Sequence, residues 1–233
     1  MKHQYFGDIN DYRKYGLLRI LSQALKLRVG VCWMLTDDDD STDGECRQYL
    51  ENPPQWRRYD PTLFDALHDL YISGAKRSVG HAATSDLVPD AVFFDALLTD
   101  DNVGRVHYFT EAWKQLAECP LLFFDPDNGI EVPSTRMGTR GSAKYLYWHE
   151  IKQSYKRGHS LLIYQHYPRI VREAFVPFLA GRLAETLNAP SVTAFPTSYV
   201  VFFLVAQPAH ALGIDQAHEK VVAQWPKQIK SWK

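Results

Sequence analysis

The chain has 233 residues, 45% of them hydrophobic and 23% charged, with a net charge of −1. That composition excludes a disordered chain and a globally basic surface, so any nucleic-acid contact has to come from locally clustered charge. The length suits one α/β domain with a sizeable core. Cys32, Cys46 and Cys119 stand far apart without zinc-like spacing, which argues against a disulfide framework and for a reducing compartment. No start resembles a signal peptide and no apolar run reaches the roughly 18–20 residues of a membrane span, so a cytoplasmic protein without membrane contact is expected.

In chain order, residues 1–10 are polar and aromatic. Leu17, Leu18, Leu21, Ala24 and Leu25 then recur at helical spacing, which predicts an amphipathic helix over 11–27 capped by Asn10 or Asp11. Residues 29–35 predict a buried strand, followed by an abrupt acidic run from Thr36 to Glu45 that includes Asp37, Asp38, Asp39 and Asp40. A short helix is expected over 44–56, ended by Pro53 and Pro54, and a clearer one over 60–71 with Pro61 in its first turn. From about 72 to 106 the pattern loosens. A short strand fits 78–83, and either a strand or a short helix fits 91–98. A helix over 108–118 feeds a strand over 121–124, the order of a parallel sheet. Residues 133–143, rich in Ser, Thr, Gly and Arg, predict a mobile loop. A helix over 148–157 closed by Gly158, a strand over 160–165, a long helix over 170–187 kinked or broken at Pro177, an antiparallel pair over 191–195 and 199–206, and a docking helix from Asp215 complete the chain.

The centre of this arrangement is Leu121–Glu131, LLFFDPDNGIE. Four consecutive apolar residues stop at Asp125-Pro126-Asp127-Asn128-Gly129, which places carboxylates at a strand's C-terminal end, where ligands bind in open α/β sheets. Asp8, Asp11, Lys14, Asp125, Asp127, Asn128, His166 and Arg169 all fall at element ends that converge if strands 29–35, 121–124 and 160–165 are neighbours. A turn carboxylate at an exposed edge contributes little to a core, so Asp125→Ala is expected to leave folding nearly intact. Between Arg136 and Arg182, Arg and Lys outnumber Glu150 and Glu173 and are interleaved with aromatics, a pattern suited to phosphates and bases.

Strand, carboxylate-Pro turn, helix, strand, long helix and a closing antiparallel pair resemble the C-terminal half of a class I methyltransferase-like Rossmann fold. The turn is similar to the (Asp/Asn)-Pro-Pro-(Tyr/Phe) signature of N6-adenine methyltransferases, with Asp125 and Pro126 matching and Asp127 and Asn128 differing. Residues 7–15, GDINDYRKY, resemble the Gly-Asn-x-x-Asp-x-x-Lys-His start of the large-subunit ribosomal RNA adenine-N6 methyltransferases. Gly7, Asp11 and Lys14 match, while Asp8 stands for Asn and Tyr15 for His. Gly44-Glu45 and Tyr49-Leu50 are similar to that family's Gly-Glu-Tyr-Leu region. The resemblance implies a catalytic Asp125 with Asp127, Asn128 and His166 around it. It implies S-adenosylmethionine near Lys14, Asp37, Asp38 and Gly44, and a DNA or RNA substrate near Asp8, Asp11, Arg169 and Trp148, with Trp148 or Tyr164 stacking on a flipped base. The family's Gly-rich cofactor loop has no counterpart; TDDDDSTDGE stands in its place.

Other chemistries follow from the same residues. Asp37, Asp39, Asp125 and Asp127 would suit Mg²⁺ or Mn²⁺ and phosphodiester hydrolysis, with His166 as base or ligand. Pro126-Asp127 with Glu150-Ile151-Lys152 forms a loose PD-(D/E)xK pattern if Glu150 and Lys152 lie on a strand. A methyltransferase fold that only binds a partner is the non-catalytic alternative.

Overall fold

Apolar runs without alternation become strands, and the amphipathic segments between them become helices that cover both faces of one sheet. The computed structural model describes residues 1–232. The elements are α1 (Ile9–Leu25), β1 (Val29–Cys32), α2 (Pro53–Trp56), α3 (Pro61–Ile72), α4 (His81–Thr84), β2 (Val92–Phe94), α5 (Asn102–Gln115), β3 (Leu121–Phe124), β4 (Gly129–Ile130), β5 (Tyr145–Leu146), α6 (Trp148–Lys156), β6 (Ser160–His166), α7 (Arg172–Leu187), β7 (Val192–Pro196), β8 (Val200–Val205) and α8 (Ile214–Gln224).

Six strands form the main sheet in the order β2-β1-β3-β6-β8-β7, and β4 pairs with β5 in a small ribbon. The first four strands are mutually parallel; β8 runs antiparallel to both β6 and β7. The expected antiparallel pair is therefore present, with the later strand inside and β7 at the edge. From β1 the chain passes to β2 on one side, whereas from β3 it passes to β6 on the other. The crevice between the C-terminal ends of β1 and β3 is thus a topological switch point, the place where open α/β sheets bind ligands.

Tyr12, Tyr15, Leu18, Phe64 and Trp225 belong to the apolar layer on one face of the sheet, and Tyr108, Phe109, Ile151, Leu179 and Leu183 to that on the other. Gly16 lets α8's end approach α1, since a Cβ there would lie 2.1 Å from the Trp225 ring. No helix among the described residues is long and apolar enough to cross a membrane.

Several boundaries differ from the pattern reading. Asp8, not Asn10 or Asp11, caps α1, accepting from the Asn10 and Asp11 amides at 2.8 Å each. Pro53 and Pro54 open a helical turn instead of ending one, because a first-turn proline lacks only an amide hydrogen that would go unbonded. The segment expected as a strand over 78–83 contributes to the helical turn α4. α7 begins at Arg172 and runs through Pro177 as one continuous helix. The base of the loop expected to be mobile is pinned: Asp100 accepts from the Gly141 and Ala143 amides at 2.7 Å, and the Arg105 guanidinium donates to the carbonyls of Ser142 and Tyr145.

Candidate functional site

Asp125 follows directly on β3, and its amide donates to the Cys32 carbonyl at the end of β1, so the sheet ladder itself carries the carboxylate to the switch point. Lys14, six residues after the Asp8 cap of α1, reaches across with Nζ 2.6 Å from Asp125 Oδ2 and 2.6 Å from Asp11 Oδ1. Burial alone would lower the Lys14 pKa, but Asp11 and Asp125 outweigh it and hold the ammonium above its usual range. For Asp125 burial dominates and raises the pKa, opposed by Lys14. The rings of Trp33, Tyr164 and Tyr15 surround the ammonium with centroids 5.4, 5.6 and 6.0 Å away, completing a water-poor cage. Among the described residues Asp125 Oδ1 receives no hydrogen bond, and that oxygen remains available.

The turn after Asp125 is fixed from several sides. Asp127 Oδ1 lies 2.5 Å from the Met1 amino group, and Oδ2 accepts from the Thr36 hydroxyl at 3.2 Å. The same amino group donates to the Asp125 carbonyl at 2.9 Å, so Met1 sits in the crevice between β1 and β3. Gln165 accepts from the Ile130 amide and donates to the Asn128 carbonyl, and Gly129, at φ +114°, packs so tightly that a Cβ would lie 2.4 Å from the Gln165 side chain. The Asn128 side-chain amide has no partner among the described residues.

A cavity of about 360 Å³ opens in front of this turn, lined by Asp8, Asn10, Asp11, Lys14, Asp39, Asp43, Gly44, Glu45, Asp125, Asp127, Asn128, Lys144, Tyr164 and His166, with Met1, Tyr5 and Tyr199 also on its wall. Its size matches small-ligand sites. Seven carboxylates face three basic groups on the wall, Lys14, Lys144 and the Met1 amine, while Lys2 and Arg77 pair with Asp39 and Glu45; Asp8 and Asp43 keep no ion pair among the described residues, so the cavity favours a cationic or donor-rich ligand. Burial, reinforced by Asp11, raises the Asp8 carboxyl from 3.8 to about 7, although the amides it caps act in the opposite direction. His166 Nε2 is 2.9 Å from the Tyr164 hydroxyl, and partial desolvation of its solvent-facing ring lowers its pKa.

Most of the residues singled out in the sequence meet here. Asp37, Asp38, Arg169 and Trp148 are not among the cavity-lining residues. Asp38 instead accepts from the Gln4 amide at 3.0 Å, and Trp148 lies on a second pocket with Arg136 and Lys152. Gly44, at φ +86°, is needed for packing: a Cβ would come within 2.5 Å of the Gln4 carbonyl. Asp39 pairs with Lys2. No group of three or more His, Cys, Asp or Glu positioned to hold a metal occurs among the described residues, because Asp39, Asp125 and Asp127 each face their own cation. Glu150 and Lys152 lie on α6, and Glu150 is spent on a buried pair with Arg105 at 2.6 Å, which removes the PD-(D/E)xK geometry.

Sequence reasoning missed Met1, Tyr5, Asn10, Lys144 and Tyr199 as parts of the wall. The signal for Met1 was weak: an aromatic, polar start looks like a surface arm, yet Met1 is 3% exposed. Comparison with known proteins finds no matching family model and no matching curated protein.

Proposed function

We propose that the protein is a methyltransferase-like enzyme that transfers a methyl group from S-adenosylmethionine to an exocyclic base amine of a nucleic acid, the adenine N6 amine being the reading closest to the turn sequence. The observation that carries this is the position of the Asp125–Asn128 turn: rigidly held, at the switch point, with Asp125 Oδ1 unpartnered and a ligand-sized cavity before it. The strand order, with its terminal antiparallel pair, supports the same fold reading.

The cavity's donor set fits the cofactor by charge. Asp8 and Asp43, together with Asn10, whose buried Oδ1 has no partner, offer acceptors for an ammonium and for ribose hydroxyls, and an acidic wall favours a sulfonium. When bound there, S-adenosylmethionine supplies an electrophilic methyl group. The chain's own residues do the rest. Asp125 Oδ1 and the Pro126 carbonyl accept the amine's hydrogens and so aim its lone pair, while Lys14 fixes the carboxylate through Oδ2. Tyr164, on the cavity wall, offers a stacking face where the usual aromatic of the turn is replaced by Asn128. Asp8, half-ionised near neutral pH, takes up the proton the amine loses.

Incubation with methyl-tritiated S-adenosylmethionine and unmodified RNA or DNA tests the reading. Label should enter nucleic acid with wild type and, per folded protein, fall at least about a hundredfold with Asp125→Ala, the scale of removing one positioned group. Incorporation unchanged by Asp125→Ala would refute the assignment.

A further inference from the structure

A second pocket, about 490 Å³ and more open, lies along the outer side of the β4–β5 ribbon, lined by Glu131, Arg136, Trp148, His149 and Lys152 among others. Asn128 and Lys144, both on the cavity wall, stand just before β4 and β5, and Glu131 and Trp148 stand just beyond them. Two strand residues, Gly129 and Ile130, lie between Asn128 and Glu131, and the three steps span roughly 10 Å at the usual strand rise. The two pockets are therefore consecutive stations along one ribbon.

Their electrostatics are opposite. The cavity is acidic, whereas the outer pocket carries Arg136, Lys152 and His149, with Arg182 stacked on Trp148 at 4.6 Å. Arg136 and Lys152 are exposed and make no ion pair among the described residues. The pocket's one carboxylate, Glu131, is already engaged, accepting from the Trp148 amide at 2.7 Å. The Trp148 indole nitrogen is buried with no hydrogen-bond partner, an unusual state for a polar atom beside a pocket. The platform is also preorganised. Asp100 and the Arg105–Glu150 pair hold both the base of the basic loop and the start of α6.

We propose that the groove beside Trp148 is the docking site for an unpaired nucleic-acid strand, holding the nucleotides that flank a target base inserted into the acidic cavity. This rests on the reading of the cavity given above and names its substrate class as single-stranded or locally unpaired nucleic acid. Unpaired cations neutralise phosphates that the acidic cavity would repel, and an aromatic face with a guanidinium behind it suits base stacking. The neutral base alone enters the carboxylate-lined cavity. Charge complementarity and continuity with that cavity argue for this occupant over an acidic peptide, which would have no use for the stacking face.

Fluorescence anisotropy with a labelled 12-nucleotide single strand, a hairpin duplex of equal length and a polyglutamate peptide tests the assignment. The single strand should bind most tightly. Trp148→Ala should weaken it roughly five- to hundredfold, as expected for one lost stacking contact. Trp148→Phe should recover most of that loss. Arg136→Ala with Lys152→Ala should reduce the salt slope of log affinity by about 1.4, two single-strand phosphate contacts. Wild-type binding unaffected by the Arg136, Trp148 and Lys152 variants would overturn the groove while leaving the cavity reading intact. Preference for the duplex, or equal binding of polyglutamate, would also overturn it. If wild type binds no strand yet binds S-adenosylmethionine, the groove falls and the cavity retains a different amine substrate.

Discussion

Lys14 Nζ stands 2.6 Å from Asp125 Oδ2, and both side chains are almost fully buried. This contact ties the first helix to the end of β3 and makes Asp125 a structural as well as a chemical group. Removing one member of a buried ion pair leaves its partner charged in a poor solvent, typically a loss of about 3–5 kcal/mol. Asp125→Ala should therefore destabilise the fold by about 3 kcal/mol, the low end because Asp11 still faces Lys14. The sequence-based expectation of nearly intact folding is corrected by this burial. Urea denaturation checks it, and Asp125→Asn, which keeps shape and one acceptor, should lose less stability.

Lys14→Met should be worse than Asp125→Asn in the same titration. It strands two buried carboxylates, Asp11 and Asp125, where the latter substitution strands none. Equal stability of Lys14→Met and wild type would show that the cage is electrostatically unimportant.

Gly129→Ala tests the rigidity of the turn separately from its charges. A Cβ at φ +114° is strained and would press on the Gln165 side chain at 2.4 Å. The turn should shift, and a misplacement on the order of 1 Å costs about a hundredfold in rate. The expected result is a kcat decrease of about that size with a folded protein by circular dichroism.

Asp8 makes stability and activity depend on pH. Its carboxyl is raised by burial from 3.8 to about 7, so the folded state binds a proton more tightly than the unfolded chain. The stability this provides is fully present below about pH 4 and is lost as pH rises through 7. Asp8→Asn keeps an equally good cap and should flatten that slope in urea titrations at pH 5 and 8. If Asp8 carries the proton, kcat/KM should rise with pH to a plateau above about 7, and the inflection should vanish in Asp8→Asn.

Much of this architecture was legible because it rests on short-range physics. The unbroken apolar runs at Val29, Leu121 and Ser160 and the Asp125-Pro126 turn mark strand ends, and strand ends in a parallel sheet must face the same way. The α4 turn and the pinned loop were not legible, since each depends on a partner distant in sequence: His3 beside Val79, Asp100 beside Gly141. Charge was the poorest guide. Asp37–Asp40 looked like a metal or cofactor cluster, yet Asp38 and Asp39 bind Gln4 and Lys2 and thereby fasten the N-terminal segment over the crevice.

Isothermal titration with S-adenosylmethionine, alongside a matched titration with Mn²⁺, measures the central claim most directly. Wild type should bind one cofactor per chain in the micromolar range, about −8 kcal/mol, and Asp43→Lys, which reverses one charge on the cavity wall, should weaken it at least tenfold. Absence of binding, or identical affinity in Asp43→Lys, would contradict the account, and saturable Mn²⁺ binding in its place would turn the same cavity toward phosphodiester chemistry.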